Sequence, residues 1–199
     1  MQPIPPLEGL SWTKVRALAR ELAAAPAAEV IAAALPLLDA PDPSRRMLGV
    51  YLLGYAAGDP LAQLELLRRR VPPDPDWEVQ EALAQAFDAL AAALRYEAAL
   101  SVLDAWLAEA HPNARRAVSE GLRPWTSKRR GYFARHPAEA IRRLAALRRD
   151  PSEYVRHSAG NALRDIRRAH PALVDGETAT WDLSDPAQRF TYERVLRAK

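Results

Sequence analysis

The 199-residue chain has no cysteine, 8 glycines, 3 phenylalanines and only 3 lysines among its 28 basic residues. The missing thiol excludes a disulfide scaffold, an iron–sulfur cluster, a cysteine nucleophile and any thiolate metal site. Residues that favour strands are scarce, whereas 40 Ala and 27 Leu supply the best helix formers. An all-β fold is thereby excluded and a doubly wound nucleotide-binding sheet is disfavoured. No P-loop, GxGxxG or His-Glu-x-x-His occurs. Three of the four histidines precede proline, where capping a helix is the expected task. No run of about 18 apolar residues is present, and Met1-Gln2-Pro3-Ile4-Pro5-Pro6 lacks the pattern of a signal peptide. The expectation is a soluble, cytoplasmic monomer.

What is present is segregated charge. Between His111 and His170 there are 15 Arg plus Lys against 5 Asp plus Glu, while the rest of the chain carries 13 against 20. The small net charge of +3 therefore conceals one basic region suited to an anionic partner. Of the basic residues 25 are Arg, whose planar fork bonds two phosphate oxygens at once.

Proline marks the elements. Asp-Pro pairs at Asp42, Asp59, Asp74, Asp150 and Asp185 and His-Pro pairs at His111, His136 and His170 are expected helix starts. The pattern predicts helices near 11–24, 27–39, 44–57, 60–70, 76–93, 96–110, 112–123, 137–149, 151–169 and 185–197, the second kinked at Pro36. Arg45-Arg46, Gln80-Glu81, Arg115-Arg116 and Arg156-His157 occupy equivalent places, spaced 35, 35 and 41 residues apart. Five residues after the first of each comes Val50, Gln85, Glu120 or Asn161. Periods of this length with two helices each indicate a HEAT-type solenoid. The expected fold is all-α: one domain over 1–199, a right-handed solenoid of about five helical pairs. Its concave face would be basic, and residues 176–199 would cap the last repeat. Trp77 and Trp106, at helical spacings, read as core.

The stretch from His111 to Trp125, HPNARRAVSEGLRPW, resembles the central signature of bacterial DNA alkylation repair proteins, the HEAT-like glycosylases AlkC and AlkD. Asp150 to Pro171 resembles the repeat that follows it, and Asp76 to Glu81 the one before, so the likeness covers about residues 75–173. Asn161 stands where the AlkD pattern has Trp, which places the motifs nearer the AlkC-like members or a short uncharacterised branch. The resemblance implies excision of cationic N-alkylated purines such as 3-methyladenine and 7-methylguanine from double-stranded DNA, without a cofactor. It implies Glu120 as the carboxylate beside the sugar, Glu78 or Glu81 as a second acidic position, and Asp165 in the next repeat. Arg115, Arg116, Arg123, Trp125, Lys128, Arg129, Arg130, Arg156, Asn161 and Arg164 become the DNA-contacting set. Lys14, Lys128 and Lys199 are the only lysines, so a Schiff-base lyase is disfavoured and the glycosylase would be monofunctional.

Two alternatives stand beside this. Glu120 either acts on the sugar or pairs with Arg116 or Arg123 on a helix face. The segment Arg123 to Arg135, rich in basic and aromatic residues, either meets nucleic acid or connects two helices. A non-catalytic HEAT module that binds DNA or a protein is the competing function.

Overall fold

A computed structural model describes residues 2–94, 96–123 and 132–197. The chain divides into two compact units, residues 1–94 and 95–199, so the family-like stretch 75–173 crosses the division. Both units are built from helices alone among the described residues, as the composition predicts. The first contains α1 (Trp12–Leu22), α2 (Ala27–Leu37), α3 (Pro43–Tyr55), α4 (Pro60–Arg70) and α5 (Trp77–Ala93). The second contains α6 (Tyr96–Leu107), α7 (Pro112–Gly121), the single turn α8 (Tyr132–Arg135) and α9 (Pro137–Ala146). It continues through a 3-10 turn (Leu147–Arg149) to α10 (Glu153–Arg167), α11 (Pro171–Thr178) and α12 (Pro186–Leu196).

Three of the Asp-Pro pairs start helices as expected. Asp42, Asp59 and Asp185 accept hydrogen bonds from the main-chain N–H groups of Ser44, Leu61 and Ala187 at 2.9, 3.0 and 2.8 Å, with proline in the first turn. Asp74 and Asp150 do something else. Each accepts from the N–H two residues on (Asp76 and Ser152, both 2.9 Å), closing a turn ahead of the helix. Consequently α5 is capped by Asp76, and α10 begins at Glu153, later than expected. Of the three histidines before proline, only His111 caps, with Nδ1 accepting from the Asn113 N–H at 3.3 Å. Pro36 falls in the last turn of α2, so it precedes the helix end instead of bending its middle. Helix α11 begins at Pro171, after the expected start at His170, although the pattern gives no span for it.

In the first unit α3 packs against both α1 and α5, with α2 and α4 on its other sides. Every residue of α3 from Met47 to Gly54 is accordingly buried. Gly54 permits the closest approach: a Cβ there would lie 2.6 Å from that of Ala86 on α5. In the second unit α7, α10 and α12 form the corresponding row, with α9 and α11 packed behind α10. The stripe Val155, Ala159, Ala162, Leu163 and Ile166 of α10 is buried, and Leu147 and Leu107 close over its first turns. Alanines such as Ala86, Ala159 and Ala162 are buried together with larger Leu and Val side chains, one use these repeats make of so much alanine.

Candidate functional site

The equivalent polar positions do form a series, but it is offset at its first member. Arg115 donates from Nη1 to the carbonyls of Glu109 and Ala110, six and five residues earlier, at 2.6 and 2.8 Å. Arg156 does the same to Asp150 and Pro151 at 2.6 and 3.3 Å, and Gln80 reaches the Asp74 carbonyl at 2.8 Å. The residue that repeats this pattern in α3 is Arg46, bonded to the Ala40 and Pro41 carbonyls at 3.0 and 2.9 Å. Arg45 is exposed instead. Two adjacent arginines hid the one-residue shift. With it, the member five residues on is Tyr51 in place of Val50, and its hydroxyl donates to Gln85 Oε1 at 3.3 Å.

Arg46 and Arg115 also meet the carboxylates of the two displaced Asp-Pro pairs. Arg46 Nε meets Asp74 at 2.6 Å, and Arg115 grips Asp150 with Nε at 2.6 Å and Nη2 at 2.8 Å. The Arg115 and Asp150 side chains are 10% and 4% exposed. The carboxylate hydrogen bond raises the Arg115 guanidinium above its ordinary range, and Arg46 is raised in the same way by Asp74. Arg115 therefore ties one repeat to the turn that opens the next, and its donors face protein.

Around Glu120 the second unit gathers a denser network. Glu120 Oε2 accepts from Arg123 Nη1 at 2.8 Å, and Oε1 accepts from the Ser158 hydroxyl at 2.7 Å. Ser158 stands 2.6 Å from the Ser119 hydroxyl. Arg123 also grips Asp165 Oδ2, from Nε at 2.9 Å and Nη2 at 2.8 Å. Burial disfavours the charged guanidinium of Arg123, yet Glu120 and Asp165 more than reverse this and raise its pKa. Arg116 Nη2 approaches Glu120 Oε1 at 3.9 Å, and its guanidinium covers the Tyr154 ring at 4.6 Å. Glu120 retains 12% exposure while Asp165 has 1%. Of the two carboxylates Glu120 is the more exposed, and Asp165 is held by Arg123.

The remaining candidates are placed as follows. Arg164 is half-buried, its Nε 3.8 Å from Asp165. Asn161 Nδ2 lies 3.2 Å from His157 Nδ1. Glu78 and Glu81 both belong to α5, in the other compact unit from Glu120. Trp125, Lys128, Arg129 and Arg130 lie outside the described residues. Trp106 is fully buried as expected, but Trp77 is 64% exposed. It occupies the first position of α5, at the rim, where helical spacing carries no information about burial. Ser119 drew attention in the sequence only as a serine without a triad base, and Ser158 carried no signal beyond being a poor helix former set in the interior of an otherwise regular helix. Among the described residues no group of three or more His, Asp or Glu side chains is placed to hold a metal ion. No helix among them is long and apolar enough to cross a membrane.

Comparison with known proteins agrees with this architecture. Residues 5–176 match the family model of the DNA alkylation repair enzymes. AlkD2 from Streptococcus mutans superposes with a TM-score of 0.88 at 37% identity, covering 95% of this chain and 90% of that one. The protein smu.31 from Streptococcus mutans UA159 gives 0.86 at 37% identity, with 93% and 91% covered. The alkylpurine DNA glycosylase AlkC of Pseudomonas fluorescens, solved on DNA containing an abasic-site analogue, shares the fold with a TM-score of 0.50. Its identity is 22%, over 93% of this chain and 60% of that chain. An uncharacterized Bacillus subtilis protein, YhaZ, is 34% identical over 107 residues; the match spans 52% of this chain but only 30% of YhaZ. The likeness along the whole chain is thus stronger to AlkD2 than to AlkC, whereas the motifs alone, which cover half the chain, lean the other way.

Proposed function

Because the chain belongs to the family of DNA alkylation repair enzymes, we propose that it acts on duplex DNA as a monofunctional glycosylase for cationic N-alkylated purines. The observation that carries this reading is Glu120: a partly exposed carboxylate in the basic unit, with both oxygens fixed by Ser158 and Arg123. An alkylated purine already carries positive charge. When its glycosidic bond breaks, the bonding pair returns to the ring and the base leaves neutral. The cation that develops on the deoxyribose is stabilised by a nearby carboxylate. Water then adds to the anomeric carbon and gives up a proton, leaving an abasic site and a free base. A carboxylate already held in place needs no reorganisation during the reaction. 3-Methyladenine and 7-methylguanine are the substrates of choice, and the protein works as a monomer.

Incubation with N-alkylated duplex DNA is expected to release 3-methyladenine. Glu120→Gln should reduce release by at least about a hundredfold, in line with the loss of one electrostatic group aimed at developing charge, and leave DNA affinity nearly intact. No release by the wild-type protein would refute the enzymatic reading.

One observation favours a second reading. Arg123 bridges Glu120 and Asp165, so both carboxylates are paired with one guanidinium, as in a structural ion-pair network. On that reading the protein is a HEAT module that binds DNA without cutting it. Wild-type protein that binds duplex DNA and releases no alkylated base would establish it.

A further inference from the structure

Helix α12 brings a cation to a place that is already positive. The guanidinium of Arg194 lies 4.7 Å from the centre of the Phe190 ring, and that of Arg156, arriving from α10, lies 5.3 Å from the same ring. Two like charges on one aromatic ring repel, and the ring's quadrupole offsets only part of that. Among the described residues neither arginine has a carboxylate partner. Arg156 donates only to the neutral carbonyls of Asp150 and Pro151, and the Nε atoms of Arg156 and Arg194 are buried without a hydrogen bond. The juxtaposition is also enforced by packing. Gly160 on α10 faces Arg194 so closely that a Cβ there would be 2.6 Å from the arginine's own Cβ.

His157 registers the resulting field. Burial first, and then Arg194, lower its pKa; Arg164 and Arg197 add to the effect and Glu120 opposes it. Arg194, Arg164 and Arg197 thus act on His157, which lies 3.2 Å from Asn161 on α10. A tetrahedral anion suits the Arg156 and Arg194 pair, because two planar forks can share its oxygens.

We propose that Arg156 and Arg194, held together on Phe190, bind a backbone phosphodiester of nucleic acid, so that α12 is part of the DNA-contacting surface as well as the end of the helix row. This rests on the DNA-binding half of the proposed function, not on catalysis. The test is fluorescence anisotropy of an undamaged labelled duplex with the full-length protein, between about 50 and 300 mM salt. Arg194→Gln should bind about tenfold more weakly, the loss expected for one charge-assisted contact, and lower the slope of log K against log salt by about one. Arg194→Lys should keep the slope, and its thermal melt checks that the fold is intact. A glutamine variant with wild-type affinity and slope would overturn the proposal while leaving DNA binding by the wild type in place. Wild-type protein that does not bind duplex DNA would overturn both. A titration with inorganic phosphate at matched ionic strength separates the sources of the ligand. Saturable binding of free phosphate that Arg194→Gln abolishes, with DNA affinity unchanged, would refute the backbone assignment.

Discussion

Arg115 is the sharpest place to separate a structural arginine from a DNA-binding one. Its fork makes two hydrogen bonds to Asp150, at 2.6 and 2.8 Å, and Nη1 serves two carbonyls. Arg115→Met would leave the Asp150 carboxylate, 4% exposed, buried without its cation. Removing one partner of a buried pair costs about 3–5 kcal/mol, most of it from the uncompensated charge. For a unit of about 100 residues this lowers the melting temperature by roughly 10 °C or more. Arg70 supplies the internal control, since it pairs with Asp39 at 2.8 Å with 41% and 73% of the side chains exposed. Arg70→Met should cost less than about 1 kcal/mol. Adding Asp150→Asn to Arg115→Met should recover much of the loss, because no charge is then stranded. Urea unfolding measures all of these. If Arg115→Met costs no more than Arg70→Met, the ladder reading is wrong. If it lowers the salt slope of DNA binding by about one while stability holds, Arg115 meets phosphate after all.

Two glycine substitutions should act in opposite directions. Gly54→Ala would place a Cβ 2.6 Å from Ala86 Cβ and 2.8 Å from its Cα, forcing α3 from α5 at about 1–3 kcal/mol. Gly176→Ala meets nothing within 4 Å and should stabilise α11 by about 0.5–1 kcal/mol; urea midpoints that move the same way in both would refute the packing argument. The pH dependence follows from His157, whose pKa is lowered by burial and by Arg194 below the ordinary 6.5. The unfolded chain then binds the proton more readily. Stability from this group is complete above about pH 6.5 and is lost as pH falls toward and through the folded value. The wild-type advantage over His157→Gln should therefore shrink between pH 7 and pH 5 in chemical denaturation, and an advantage that grows as pH falls would contradict the sign.

The helices were legible because proline, aspartate and alanine act locally. Asp42, Asp59 and Asp185 cap where the pattern places them, since an N-cap needs only its own next two residues. Asp74 and Asp150 make the same bond to the N–H two residues on, yet their helices begin later, and each also holds an arginine from 28 or 35 residues away. Such a contact has no local signature. The repeat period was visible, but its phase was not: Arg45 and Arg46 are identical in type, and only the hydrogen bonds to the preceding carbonyls tell them apart. Glu120 and Asp165 were singled out separately through the family resemblance. That Arg123 joins them across 42 residues depends on how α10 stacks on α7. Phe190 and Arg194 belong to a segment that matched no motif, and helical spacing assigned it a capping role only.

The basic region also changes meaning once its partners are known. The surplus between His111 and His170 suggests a surface crowded with arginines free to meet DNA. Several are committed elsewhere. Arg115 is held by Asp150, Arg123 by Glu120 and Asp165, and Arg143, only 3% exposed, by Asp104 and Glu139. Arg149 and Arg167 pair with Asp185 and Asp175, acids supplied from beyond the region. Pairing does not remove the net positive charge, so long-range attraction for an anion persists. It does remove donors, and short-range recognition of phosphate needs donors. Among the described residues of the second unit, Arg156, Arg164 and Arg194 each have a buried Nε that lacks a hydrogen bond; Arg164 and Arg194 act on His157, and Arg156 shares the Phe190 ring with Arg194. The composition therefore reports attraction, whereas the arginines whose Nε lacks a hydrogen bond are a much smaller set, one of which, Arg194, lies outside the segment that the charge count singled out.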